Sequence, residues 1–244
     1  MEIIKTEKLR KEYKDTVAVA GLDLTVKEGE LFALLGLNGA GKTTTVKMLT
    51  CLAKPTGGDA FVCGYSVLRD ADKIKPLIDI SMQETAVARK LTVEENIAFY
   101  AKLNGQSKEE IKNTKEKLYA ALELDKVKNK RASTLSGGWQ RKLSIALALV
   151  SSPKVLFLDE PTLGLDVIAR RELWNVIRAL HGSTTIVLTT HYMEEAEALA
   201  DSIGIMKDGR LLFLGGKDAL FAQTGADNVE DAFVKFVGGG VSDA

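Results

Sequence analysis

The chain has 244 residues, 45% of them hydrophobic and 27% charged, with 33 basic residues balancing 33 acidic ones. That is a soluble, globular composition sized for one large α/β domain or two small ones, and the zero balance argues against nucleic acid or an anionic membrane surface as partner. No apolar run approaches the ~20 residues of a membrane span, no secretory leader opens the sequence, and the two cysteines, Cys51 and Cys63, fit neither a disulfide framework nor a zinc spacing; a cytoplasmic location is expected, with both thiols as small buried apolar groups and any membrane role exercised through a partner.

In chain order, the alternation of Ile3, Leu9, Tyr13, Val17, Val19, Leu22, Leu24 and Val26 predicts short antiparallel strands, with a turn at Glu28-Gly29-Glu30. Leu31 to Leu35 is an apolar run short enough for a buried strand, and Thr43 to Cys51 reads as a helix. Between them, Gly36-Leu37-Asn38-Gly39-Ala40-Gly41-Lys42-Thr43 fits the phosphate-binding pattern G-x-x-x-x-G-K-[ST]. Strand, glycine loop and helix together turn that pattern into a mechanism. The glycines let backbone N–H groups curl around phosphates, and the helix N-terminus adds a positive dipole end. Lys42 reaches the terminal phosphates, and the Thr43 hydroxyl holds Mg²⁺. Pro55 to Asp59 marks a turn into a strand at Ala60 to Cys63, and Ile78 to Met82 predicts another strand, ending at Gln83.

Residues 92–151 change character. Thr92-Val93-Glu94-Glu95 is a capping box whose helix should stop at Asn104-Gly105, and Ser107-Lys108-Glu109-Glu110 is a second, opening a helix to about Leu124. A third helix is expected from Gly138 to about Ser151, with Leu143, Leu147 and Val150 at core spacing. This block reads as a helical insertion into an α/β core.

The α/β pattern then resumes. Lys154 to Leu158 is a buried strand, and residues 167–181 form a helix with Ile168, Leu173, Val176, Ile177 and Leu180 inward and Trp174 in the core. Thr185 to Thr189 is a β-branched strand, and Tyr192 to Ala200 a helix, with His181 placed on the surface. Ile203 to Lys207 and Arg210 to Leu214 flank Asp208-Gly209, a hairpin signal. A short amphipathic helix spans Asn228 to Val237, and Gly238-Gly239-Gly240 ends the ordered chain.

Phosphoryl chemistry needs a held cation and a water placed in line with the γ-phosphate. Asp159, at a strand end, supplies the first, and Glu160 beside it can take the water's proton. Adjacent acids also occur as plain surface residues; the phosphate loop upstream gives these their meaning. His191 follows a strand at the rim where ligands of α/β sheets bind, within reach of a γ-phosphate and Glu160. Leu135-Ser136-Gly137-Gly138 opens the third helix of the insertion and offers a second anion site by the same helix-terminus physics. One nucleotide does not need two such sites far apart in one chain. Two chains facing head to tail do.

On these residues the chain resembles the nucleotide-binding subunit of ATP-binding-cassette (ABC) transporters over nearly its whole length. The resemblance implies a P-loop NTPase (RecA-like) α/β core with an N-terminal antiparallel β subdomain, residues 1–91 and 152–225, an α-helical subdomain at 92–151, and a short tail helix within 226–244. Gly36 to Thr44 match the Walker A loop, so Gly36, Leu37, Asn38, Gly39, Ala40, Gly41, Lys42, Thr43 and Thr44 are expected to bind ATP, with Tyr13 stacking on adenine. Thr43, Gln83 and Asp159 are the expected Mg²⁺ ligands, and Glu160, His191 and Lys42 the expected catalytic groups. Ser136, Gly137 and Gly138 match the signature motif that meets the other chain's ATP, and Asp166 ends a loop, Leu163-Gly164-Leu165-Asp166, that crosses the dimer interface. The implied partners are a second ATP-binding subunit and an integral membrane permease, at the cytoplasmic face of the membrane. Trp139 stands where the family usually has glutamine. That substitution, the stretch His191 to Glu197 and the tail Val229 to Phe233 are similar to the drug- and sodium-exporter branch. A soluble ABC ATPase of translation or DNA repair usually carries two cassettes or a long coiled-coil insertion, which this chain lacks. A non-hydrolysing regulatory module would not need Lys42, Asp159, Glu160 and His191 together.

Overall fold

The computed structural model describes residues 1–238. The expected end of order therefore lies, from Gly239 onward, outside the described residues. The chain opens with β1 (Glu2–Tyr13), β2 (Thr16–Leu22), β3 (Thr25–Lys27) and β4 (Leu31–Gly36), then α1 (Lys42–Leu49), β5 (Gly57–Val62), β6 (Tyr65–Ser66), α2 (Ala71–Ile74) and β7 (Ile78–Ser81). Three helices follow: α3 (Val93–Leu103), α4 (Lys108–Leu122) and α5 (Gly137–Leu149). The last part alternates β8 (Val155–Asp159), α6 (Val167–Leu180), β9 (Thr185–Thr190), α7 (Met193–Leu199), β10 (Ser202–Lys207), β11 (Arg210–Gly215), α8 (Lys217–Thr224) and α9 (Val229–Val237).

Two sheets result. The antiparallel one runs β2-β1-β5-β6, with β3 also on β1; the other runs β11-β10-β4-β9-β8-β7, parallel except for the β10–β11 hairpin. Every residue of β4, β8 and β9 is buried, as strands covered on both faces must be. The period of two divides their side chains between two cores. Leu31, Ala33 and Leu35 of β4, with Leu156, Leu158, Ile186 and Leu188, meet the helices. Phe32, Leu34, Val155, Phe157 and Val187 point the other way, to α1 and the antiparallel sheet. Because β4, β9 and β8 are parallel neighbours, the glycine loop after β4, the acids ending β8 and the histidine after β9 all emerge at one rim.

Both capping boxes form: Thr92 with Glu95 and Ser107 with Glu110 exchange side-chain and backbone bonds in both directions. Other expectations need correcting. Ile168 is 73% exposed rather than inward. Asp166 caps α6, so the helix starts at Val167, and five residues separate Ile168 from the buried Leu173, roughly 140° around a helix of 3.6 residues per turn. Leu180 is only half-buried. The strand expected to end at Cys63 stops at Val62, because Cys63 and Gly64 both take positive φ in a turn. Cys51 and Cys63 are half-buried rather than buried, each in a left-handed backbone conformation, and what burial they have pushes their thiols up. Helix α8 was not expected: only Leu220 is buried along it, so no apolar stripe announces it. Among the described residues, no helix is long and apolar enough to cross a membrane.

Candidate functional site

The glycines of the loop after β4 are needed for space. A Cβ on Gly36 would lie 2.5 Å from the Met206 carbonyl oxygen, and one on Gly41, at φ +103°, would run into the Ala18 carbonyl and the Met206 side chain. The chain thus turns tightly between β2 and β10 and directs the first turn of α1 back at the sheet rim. Lys42 opens that helix and is buried. Its ammonium donates to the carbonyls of Gly36 (2.7 Å) and Leu37 (3.2 Å) and lies 3.2 Å from Glu160 Oε1.

Asp159, the last residue of β8, is 1% exposed. Its Oδ1 accepts from the Thr43 hydroxyl at 3.1 Å and from the Thr189 hydroxyl at 2.5 Å. Its Oδ2 is buried with no hydrogen-bond partner among the described residues. A buried carboxylate oxygen left over beside a hydroxyl is a poor arrangement for protein alone and a suitable one for a hard, oxygen-seeking cation. Glu160 follows at φ +49°, its N–H donating to the Thr189 carbonyl and hydroxyl, both at 3.1 Å. Its carboxylate sits between two groups: Oε1 at Lys42, and Oε2 2.8 Å from His191 Nδ1. A cavity of about 350 Å³ opens between the glycine loop and this carboxylate, with Gln83 and His191 on its walls. Asn38, Gly39, Ala40, Gly41, Lys42 and Thr43 line it as well. Gly36 and Leu37 enter through their carbonyls on Lys42, and Thr44 sits half-buried in the first turn of α1. Tyr13 is not among the lining residues. It ends β1, 46% exposed, with Lys11 Nζ 4.8 Å from the ring centre.

Ser136, Gly137 and Gly138 belong to a different place. Ser136 is the N-cap of α5, yet its hydroxyl makes no capping bond, and no acidic residue lies in the first turn. The N–H groups of that turn are therefore free to meet an anion. A second cavity of about 310 Å³ lies against Ser136, Gly138, Trp139, Lys142, Asp166 and Glu172. Trp139 packs half-buried on the helical core, with Lys142 Nζ 4.6 Å from its ring centre; the same ammonium is 3.1 Å from Glu172. Asp166 accepts from the Ala169 N–H at 2.9 Å and so fixes the start of α6.

Several polar residues that shape the first site were not singled out from sequence. Thr189 and Thr190 look like ordinary strand residues, yet Thr189 holds both Asp159 and the Glu160 N–H, while Thr190 receives the Tyr192 N–H at 3.0 Å. Glu195, on α7, is fully buried. One oxygen accepts from Trp174 Nε1 at 3.0 Å, the other has no hydrogen-bond partner among the described residues, and burial holds its carboxyl above the ordinary glutamate range. Arg141 is buried on α5 with its guanidinium on backbone carbonyls. Such roles carry no spacing signal; the only hint is a charged residue on an otherwise apolar helix face.

A family model described as ABC transporter matches residues 19–163. The phospholipid-transporting ATPase ABCA3 of Homo sapiens is 43% identical over 213 residues, which is 87% of this chain but 12% of that protein, so the chain spans a small part of this relative. The daunorubicin/doxorubicin resistance ATP-binding protein DrrA of Streptomyces peucetius is 39% identical over 225 residues, 92% of this chain and 68% of DrrA. Among solved structures, a dimeric post-hydrolysis state of an ATP-binding cassette bound to ADP and Pi matches with a TM-score of 0.78 at 26% identity, covering 87% of this chain and 98% of that one.

Proposed function

The chain belongs to the ABC transporter family as an ATP-binding, ATP-hydrolysing domain, and from that premise we propose that two copies, or this chain and a close relative, close head to tail on two ATP molecules. Each ATP lies in the first cavity of one chain and against the uncapped α5 terminus of the other. The dimeric cassette that matches this fold supports the pairing.

Within one chain, Lys42 and the N–H groups of the glycine loop hold the β- and γ-phosphates. Thr43, Gln83 and Asp159 would hold Mg²⁺, whose charge, when bound, offsets that on the phosphates. Phosphate oxygens compete with Glu160 for the Lys42 ammonium. A Lys42 drawn to phosphate leaves the Glu160 carboxylate with His191 alone, free to accept the proton of the attacking water while His191 orients it. Tyr13 offers its exposed ring face to adenine, and Thr44 adds a first-turn N–H beside the phosphates. From the partner chain, Ser136, Gly137 and Gly138 bring hydroxyl and helix N–H groups to the γ-phosphate. The loop ending at Asp166 crosses the interface. Only a nucleotide with a γ-phosphate spans both surfaces, so hydrolysis removes the bridge and the pair reopens, a two-state cycle driven by its ligand.

The work is passed to a separate membrane permease, with this chain on the cytoplasmic face. Export is the direction favoured, since DrrA is a drug-resistance protein and ABCA3 a phospholipid transporter. The division into 1–91 with 152–225, 92–151 and 226–244 is proposed on the same footing, supported by the helix-only stretch from Val93 to Leu149.

The observation that carries this reading is the Glu160 carboxylate set between Lys42 and His191, facing the glycine loop. Glu160→Gln should keep ATP binding, trap a closed dimer and lower turnover by about 10²-fold or more, the scale of a lost general base. Size-exclusion chromatography with ATP reads the dimer and phosphate release reads the turnover. Hydrolysis near the native rate by the purified variant would remove Glu160 from the base's role.

A further inference from the structure

The two cavities share a joint that the motifs do not name. Arg141 lies on α5, one turn beyond the uncapped N-terminus, and is 5% exposed. Its side chain crosses to the end of β7, where Nη1 donates to the Met82 carbonyl and Nη2 to the Gln83 carbonyl, both at 2.7 Å. Gln83 is on the wall of the first cavity, while Ser136 and Gly138 line the second. One buried side chain therefore ties the backbone of a residue at one cavity to the helix that forms the other.

Three observations argue that this tie does more than fill space. First, among the described residues Arg141 has no carboxylate within ion-pair distance, so at hydrogen-bond range the buried cation meets two carbonyl dipoles. Burial accordingly draws its pKa down, opposed by the more distant Asp159 and Glu195. A charge buried without a counter-ion is costly, and an apolar side chain would fill the same volume at less cost. Second, the grip is a fork: two parallel N–H donors on consecutive carbonyls fix direction as well as distance, which one ammonium cannot do. Third, the joint is stiff on both sides. Three residues along α5, the Ser144 hydroxyl meets the Ser81 hydroxyl at 2.9 Å, both buried. On the opposite flank, a Cβ on Gly138 would lie 3.1 Å from Ala169 Cβ and one on Gly137 3.5 Å from Leu165, so α5 approaches the start of α6 closely there, and Lys142 binds Glu172. The first turn of α5 is thus wedged between the Gln83 segment and the start of α6.

We infer that Arg141 is a positioning residue that locks the Gln83 segment to the N-terminus of α5, so that nucleotide engaged at Gln83 sets the placement of Ser136, Gly137 and Gly138 for the partner's γ-phosphate. This rests on the head-to-tail reading above. It adds a residue whose loss impairs closure while leaving ATP binding to the single chain intact. Coupling of this kind needs a physical link between two sites whose arrangement both ligands bias, and the link here is two hydrogen bonds long.

The test uses the Glu160→Gln background and reads the ATP concentration at which half the protein is dimeric. Arg141→Lys keeps the charge and loses the fork. It should raise that concentration by about ten-fold, with the single chain's affinity for a fluorescent ATP analogue changed less than about two-fold. Gln83→Ala removes what Arg141 positions, so Arg141→Lys added to Gln83→Ala should raise the midpoint by less than about two-fold further. A plain structural staple would give independent, multiplying penalties in that cycle, and this result overturns the inference. So does an Arg141→Lys midpoint equal to that of the parent. If Arg141→Lys does not fold, Ser144→Ala goes through the same cycle against Gln83→Ala: non-additive shifts support the joint, and multiplying shifts or no shift refute it. Failure of Glu160→Gln itself to dimerise with ATP strikes the head-to-tail reading, whereas a dimer indifferent to Arg141 strikes only the inference.

Discussion

The two anion-binding regions are built on the same physics and finished differently. At the glycine loop nearly every functional group already has a partner inside the chain: Lys42 on two carbonyls and Glu160, His191 on Glu160, Thr43 on Asp159. At the start of α5 the capping hydroxyl and the first-turn N–H groups have none among the described residues. A site whose groups are largely held by one another, with one Asp159 oxygen left for a cation, can be preorganised for chemistry, because its dipoles need not rearrange when charge develops. An open helix terminus is half of a recognition surface and needs a ligand from outside. One chain therefore carries a reaction chamber and a separate lid for another chamber.

The sharpest way to break that contrast is at the lid. Ser136→Arg places a bulky side chain at the open terminus without touching the glycine loop. Turnover should fall by about 10²-fold or more, the scale of lost transition-state donors, while nucleotide affinity of the single chain stays near native; equal loss of both, measured by equilibrium binding and phosphate release, would mean that the two regions are not separate. A smaller effect is expected at the chamber's edge. Tyr13→Ala should weaken ATP binding by about ten-fold, within the ~1–3 kcal/mol of one stacked base, and leave kcat unchanged. A binding isotherm that does not move would return Tyr13 to packing against Lys11. The smallest effect concerns Glu195, buried behind the chamber. Its folded-state pKa lies above the ordinary value of 4.5, so the native state binds the proton more tightly than the unfolded chain. The stability this contributes is fully present below pH 4.5 and is lost as pH rises through the folded value. Glu195→Gln, which cannot ionise, should therefore gain in Tm relative to the native chain as pH rises, by about 2–4 °C for each kcal/mol in a domain of this size. A Tm difference that stays flat from pH 5 to pH 8 would contradict a Glu195 carboxyl raised by burial.

What could be read from the sequence follows the same divide. The glycine loop, Asp159-Glu160 and the two capping boxes are local: their chemistry sits at fixed spacing, so residue order alone carries it. The hairpin at β10–β11 is likewise signalled locally, by two apolar runs flanking Asp208-Gly209, whereas the order of the strands in the sheets is not. Arg141, Thr189 and Glu195 act through residues tens of positions away, and nothing local marks them. Ile168 was assigned inward because an apolar side chain at the head of an amphipathic helix invites that reading. Instead it stands exposed beside the second cavity. Tyr13 is placed at adenine by resemblance alone; it ends β1, partly exposed beside Lys11, and no local signal separates a stacking ring from a packing one.

Glu160 has a further consequence through its backbone. A non-glycine residue at φ +49° is strained, at a cost on the order of 1 kcal/mol. The twist makes neighbouring acids diverge, Asp159 toward Thr43 and Thr189 and Glu160 toward Lys42 and His191, so two like charges one peptide apart perform separate tasks. A glycine at position 160 would relax that twist, but it would also strip the buried Lys42 ammonium of its carboxylate and leave the protein inert. The strained backbone and the buried ion pair are thus inherited together, and neither can be relieved without disarming the enzyme.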